Sequence, residues 1–292
     1  MRNFLVPITF FCLWISGFFD DQAQQALALV LIFSFGILHG SNDLLILNHL
    51  KDGPKRPGRN FRLLSLYVLF VVGIACFFYF LPALALCSFI LYSAFHFGEQ
   101  HWVGRLERDS WIHQALFVSY GLTILLLLFS LHAGASSEIM QEISGVRVSE
   151  TVFIWAGTVA FTSFLGLTLM AYPWRRWIRV IPAELFLLAV FFVVFRTASL
   201  LWAFAIYFIL WHALPSLMDQ VRLLYGSINR KNSLKYLNAS AVYWGAALGS
   251  LAVVYFFFRD PSFGFLPLFF SFLAAITFPH VWVMSGLYRA QN

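Results

Sequence analysis

Apolar runs of about 20 residues, long enough to cross a bilayer core of about 30 Å, recur along the whole of this 292-residue chain. The polar stretches between them are too short to house a soluble domain, so residues 1–292 read as one integral membrane domain. Charged residues make up 11% of the chain, against about 25% in soluble proteins. The predicted fold class is therefore all-α, a polytopic bundle of transmembrane helices. Arg2 followed by an apolar run could be read as a signal peptide. The run ends Ile15-Ser16-Gly17-Phe18-Phe19 without a small-x-small cleavage site, and an uncleaved first span is expected.

Ten spans are predicted, at 3–19, 25–47, 63–81, 83–103, 111–132, 151–171, 180–196, 198–218, 238–258 and 264–287. Spans three and four meet at Leu81-Pro82-Ala83, and seven and eight at Arg196-Thr197-Ala198; fusing these joins leaves eight or nine spans as alternatives. Charge supplies an independent test. With the N-terminus in the cytoplasm and spans alternating, the outer side keeps only Arg147, Arg196 and Arg259 of the 19 basic residues. That division follows the positive-inside rule and predicts that both termini are cytoplasmic. The net charge of +6 is thus topological and implies no nucleic-acid partner. The expected location is the inner (plasma) membrane, crossed many times. The segment 133–149 reads as an outer loop, and 219–237 as a cytoplasmic stretch with an interfacial helical turn. Cys12, Cys76 and Cys87 all lie in apolar runs without a CxxC pair, which argues against disulfides.

Ionisable groups at membrane depth are costly and mark function. Of eight histidines, His49, His113 and His132 fall at span ends or in loops, where water reaches them. His39, His96, His212 and His280 lie inside spans two, four, eight and ten, which all run from outside to inside. Each precedes its cytoplasmic end by a similar number of residues, which places the four rings at one level, roughly 9–12 Å above that end. One buried histidine is usually a hydrogen-bonded structural residue; four at one depth on separate helices point to a shared metal ion. Imidazole suits iron, copper, zinc and nickel. Asp43 follows His39 by four residues and Glu99 follows His96 by three, so on helices each acid shares a face with its histidine. They are candidate partners for the ring nitrogens turned away from the metal, or alternatively helix caps or partners of basic residues at headgroup level. His101, five after His96, turns to another face and is a candidate outer partner or entrance residue.

The backbone signals are weaker. Gly36 and Gly40 flank His39 at the spacing of a helix-packing motif. Pro215 follows His212 by three and Pro279 directly precedes His280; proline in a span frees a carbonyl and kinks the helix.

Di-iron membrane hydroxylases need dense HxxxH and HxxHH boxes, which are absent. Stacked bis-histidine haems need ligands at two depths, and one haem needs only two. A transporter would show charged pairs or broken helices at the midplane. A single non-haem metal with four imidazoles leaves positions open for dioxygen, and 35 phenylalanines could line a tunnel for an apolar substrate. The competing readings are a lipid- or retinoid-binding or transport protein with structural histidines, and a metal permease.

The stretches Leu38-His39-Gly40-Ser41-Asn42-Asp43, Phe95-His96-Phe97-Gly98-Glu99, Trp211-His212-Ala213-Leu214-Pro215 and Phe278-Pro279-His280 resemble the Brp/Blh family, the membrane β-carotene 15,15'-dioxygenases of microbes. The resemblance implies Fe(II) held by histidines. It also implies O2-dependent cleavage of the central double bond of β-carotene, or a related polyene, to retinal, with a functional link to a rhodopsin. Gln100-His101 stands where the second motif often continues to an acid. Ser216 stands where some relatives have a further histidine, which makes His280 the fourth expected ligand. Membrane lipid is the remaining expected partner.

Overall fold

The computed structural model describes residues 2–50, 59–106, 110–257 and 264–291, and 89% of these described residues are helical. The helices are α1 (Arg2–Ser16), α2 (Asp21–Leu31), α3 (Asp43–Leu50), α4 (Arg59–Phe80), α5 (Pro82–Trp102), α6 (Trp111–Leu131) and α7 (Ala133–Ser144). They continue with α8 (Glu150–Ala171), α9 (Trp174–Thr197), α10 (Leu200–Tyr207), α11 (Leu214–Tyr225), α12 (Arg230–Phe257) and α13 (Phe265–Gln291). Two π-helical turns, Ile32–Gly36 and Phe208–Ala213, interrupt the series. No strand occurs among the described residues, as expected where only a helix satisfies its own backbone in lipid.

Seven helices among the described residues are long and apolar enough to cross a membrane: Asn60–Phe80, Trp111–Leu131, Glu150–Ala171, Trp174–Thr197, Leu200–Tyr225, Arg230–Phe257 and Phe265–Arg289. These coincide with seven of the ten predicted spans. The other three differ for local reasons. The first is an apolar helix of only 13 residues, Phe4–Ser16. The fourth, α5, has the length, but Ser93, His96, Glu99, Gln100 and His101 lower its hydropathy. The second is broken: the α2 ladder loosens into a π-turn, then turns through Gly40-Ser41-Asn42 before α3 begins at Asp43. Those three residues are turn formers, and an apolar run hid them. Of the residues used to orient the chain, Lys51, Lys55, Arg56, Arg108 and Arg259 lie outside the described residues.

The predicted outer loop at 133–149 is largely helix α7. Met140 and Ile143 are buried along one face, and Gly145 closes the helix in the left-handed region at φ 73°. The Met140–Ile143 spacing and the glycine stop were the available signals. α7 packs against α5, α13 and α8.

α5, α6 and α8 form the most closely packed layer. Gly98 and Gly121 let α5 and α6 touch backbone to backbone: a Cβ on Gly98 would overlap the Phe117 carbonyl, and one on Gly121 the Ala94 carbonyl. Association in lipid relies on such close packing rather than on hydrophobicity. The contact fixes the segment of α5 that carries His96. α13 leans on α3, α4 and α5, while α12 sits at the periphery with much of its surface exposed.

Candidate functional site

His39, His96, His212 and His280 come together although they lie on four separate segments. All four are buried. Taken in the order His39, His212, His96, His280 and back to His39, their ring centres are 5.3, 4.7, 5.4 and 4.6 Å apart. Each successive pair meets nearly at right angles.

The two π-turns place half of this ring. His212 lies inside the second, and His39 three residues beyond the first; the turns pack against each other. Such bulges inside α-helices often occur at functional sites because they rotate one side chain out of register. Carbonyls in these turns and in the break that follows the first are held by side chains. Gln100 Nε2 donates to the His212 carbonyl at 3.0 Å, Gln220 Nε2 to the His39 carbonyl at 2.7 Å, and Trp244 Nε1 to the Phe33 carbonyl at 2.7 Å. Gln220 and Trp244 were not singled out from sequence, where π-turns leave no periodic signature, and Gln100 was noted only as a departure from the family motif. Phe97 and Phe208 flank His212, edge-on at 4.7 Å and stacked at 5.5 Å respectively. Gly36 makes room for Phe208: a Cβ there would stand 2.8 Å from the Phe208 ring. Gly40 faces His280, whose Nδ1 would lie 3.5 Å from an added Cβ.

Hydrogen bonds assign the ring nitrogens. His280 Nδ1 donates to Asp43 Oδ1 at 2.8 Å, so its Nε2 is the bare nitrogen, buried without a partner. His39 Nδ1 pairs with the Gly36 carbonyl. Both nitrogens of His96 and Nδ1 of His212 are buried and unpartnered. Orphaned buried polar atoms are rare and ask for an explanation. Ligating histidines normally turn their other nitrogen to a carboxylate or backbone carbonyl, the arrangement His280 and His39 adopt.

The ring spacing fits one metal ion. A metal at about 2.1 Å from each nitrogen, with ~1.1 Å more to the ring centre, sets adjacent centres about 4.5 Å apart at a right angle and about 5.2 Å at the tetrahedral angle. Among the described residues, no three His, Cys, Asp or Glu side chains are already gathered as metal ligands are. The rings therefore stand at the spacing of a centre while their nitrogens do not converge on a point.

The two acids are buried beside the ring, with partners that helix spacing did not predict. Asp43 holds His280 instead of His39, because the turn at residues 40–42 ends the helical register between Asp43 and His39. Its Oδ2 accepts from Tyr67 at 2.8 Å. Glu99 Oε2 accepts from Ser285 at 2.8 Å, linking α5 to α13. His101 belongs to a different cluster. Its Nε2 donates to Glu184 Oε2 at 2.7 Å, Arg105 Nη1 donates to Glu184 Oε1 at 2.7 Å, and Tyr120 donates to His101 Nδ1 at 3.2 Å. Glu184, 1% exposed in the middle of an apolar run, is the polar residue the hydropathy reading passed over.

The histidine ring lies in the wall of a cavity of about 950 Å³, near the upper end for small-molecule sites. All four histidines and Asp43 line it, and most of the remaining wall is apolar, including Phe89, Phe204, Phe208 and Phe270. α4, α7 and α12 complete it, with residues such as Val68, Ile139 and Ala247.

A membrane-embedded helical bundle that sets four histidines and a buried carboxylate in the wall of a large apolar cavity defines a class: membrane enzymes acting on lipid-soluble substrates. The sequence pattern of the β-carotene 15,15'-dioxygenase family matches residues 30–288. The chain belongs to that family and is a carotenoid dioxygenase-like enzyme. No curated protein and no solved structure matches it.

Proposed function

We propose that this protein binds Fe(II) through His39, His96, His212 and His280 and uses O2 to cleave the central double bond of β-carotene, or of a closely related polyene, into retinal. The observation that carries this reading is the ring of four buried imidazoles, with unpartnered nitrogens, in the wall of the apolar cavity.

The iron would supply the oxygen activation that no side chain in the cavity can provide. The chain's own residues bind, orient and exclude. The Gly36 carbonyl and Asp43 hold the protons of His39 and His280 on Nδ1 and so present Nε2 of each. Phe97 and Phe208 fix the plane of the His212 ring. Phe89, Phe204 and Phe270 give the polyene an apolar bed that sets which bond lies beside the histidines and keeps bulk water away. Cleavage consumes one O2 per polyene and leaves one oxygen atom on each new aldehyde, so neither a protein nucleophile nor a net proton is required. Retinal released into the membrane is the chromophore a rhodopsin takes up, and the plasma membrane is the expected location.

Expression in cells that make β-carotene tests the reading. Loss of orange colour with formation of retinal is expected, and unchanged colour overturns the assigned substrate. Purified protein is expected to hold one iron per chain; an anaerobic preparation that takes up none overturns the metal.

A further inference from the structure

Gln220 is wholly buried, at 0% exposure, yet it is hydrogen-bonded through both ends of its carboxamide. The His39 carbonyl can only accept, so the amide nitrogen must face it, and Nε2 donates to it at 2.7 Å. The same nitrogen donates to Ser216 Oγ at 3.1 Å, one turn back on α11. Oε1 accepts from the Tyr236 hydroxyl on α12 at 2.7 Å. Both amide protons and the carbonyl oxygen are thus used, which holds the group in one orientation.

His39 lies where the helix ends and the chain turns, so its carbonyl depends on this side chain. The far end of the turn is tied to the same part of α12: Asn42 Nδ2 donates to Ser240 Oγ at 2.5 Å and to the Tyr236 carbonyl at 3.3 Å. His39 is therefore placed by α11 and α12 rather than by a continuous helix of its own. α11 also continues from the π-turn that carries His212, two helical turns before Gln220.

We propose that Gln220 is a positioning residue for the metal site, locking the backbone at His39 so that its imidazole stays in the four-membered ring. The Tyr236 hydroxyl holds the carboxamide in register. This rests on the four-histidine reading above. Residues that orient ligands from behind are typically worth about ten- to a hundred-fold in metal affinity.

The test is anaerobic titration of metal-depleted full-length protein with Co(II), read by its visible absorption bands, for wild type, Gln220→Met and Tyr236→Phe. Methionine is close in volume and preserves packing, while both polar ends are lost. Gln220→Met is expected to bind Co(II) at least about tenfold more weakly, with shifted absorption bands. Tyr236→Phe is expected to move affinity and spectrum the same way by less. Wild-type affinity and spectrum in both variants would overturn the inference and leave the metal reading standing. Wild type that binds no Co(II) would overturn both. Should Gln220→Met fail to fold, Tyr236→Phe decides, and a wild-type titration from it overturns the inference.

Discussion

Asp43 is bonded to His280, 237 positions further along the chain, and not to His39, four positions before it. One buried carboxylate thereby links three segments, since its second oxygen accepts from Tyr67 on α4. The pair fixes the His280 proton on Nδ1 and presents Nε2. Asp43→Ala is expected to lower metal occupancy and retinal formation by about ten- to a hundred-fold. Tyr67→Phe removes a bond worth about 1 kcal/mol and should cost only a few-fold. Retinal yield and iron content, measured on both variants, check the ranking; equal effects would contradict it.

Single replacement of His39, His96, His212 or His280 by alanine is expected to abolish cleavage while the protein still inserts into the membrane. Membrane fractionation together with carotenoid colour distinguishes loss of chemistry from loss of protein. His280→Ala is the most informative of the four, because full activity in that variant would remove it from the ligand set.

The His101–Glu184–Arg105 cluster should act on stability and not on metal content. His101→Ala removes a hydrogen-bond donor to Glu184 Oε2, while Arg105 still holds Oε1. The expected cost is about 1–3 kcal/mol, the range for a buried charge-assisted hydrogen bond. Thermal unfolding in detergent should report the loss while iron per chain stays at the wild-type value. Loss of iron without loss of stability would return His101 to the metal site.

Gly98 and Gly121 should tolerate no side chain. Each alanine methyl would overlap the backbone of the facing helix, which cannot move aside as a flexible side chain does. Either variant is expected to lose more than about 3 kcal/mol, at the severe end for overpacking, and to give little monodisperse protein. Gly73→Ala, where an added Cβ meets nothing within 4 Å, should behave as wild type. Yield and gel-filtration profiles compare the three directly.

Both termini should be cytoplasmic. Reporter tags placed at each end are expected to be protected from an impermeant reagent added outside intact cells, and labelling of either tag would reverse the orientation drawn from charge.

Hydropathy was enough to establish an all-helical membrane protein and to place seven helices long and apolar enough to cross a membrane, because lipid demands apolar surface and a self-satisfied backbone along each of them. It also exposed the four histidines, since an ionisable residue stands out in such a run. What it could not show were the interruptions. The Ile32–Gly36 and Phe208–Ala213 π-turns and the break at Gly40-Ser41-Asn42 sit in apolar stretches whose average hydropathy is that of a continuous helix.

Those interruptions explain why the partners differed from expectation. Spacing of three or four residues predicts a shared face only while the helix continues, so a turn between His39 and Asp43 was enough to release the carboxylate to α13. Glu99, on an unbroken helix, reaches Ser285 on the neighbouring one. Gln220 carried no local signal, because a buried polar residue outside an apolar run is recognised by the groups packed around it, whereas Glu184 stood inside a predicted span and was passed over. Local composition was sufficient to choose the residue types and to place them inside apolar runs. The pairing of the His280 ring with the Asp43 carboxylate, and of the His39 carbonyl with Gln220, required the packed bundle, since those contacts join residues 237 and 181 positions apart.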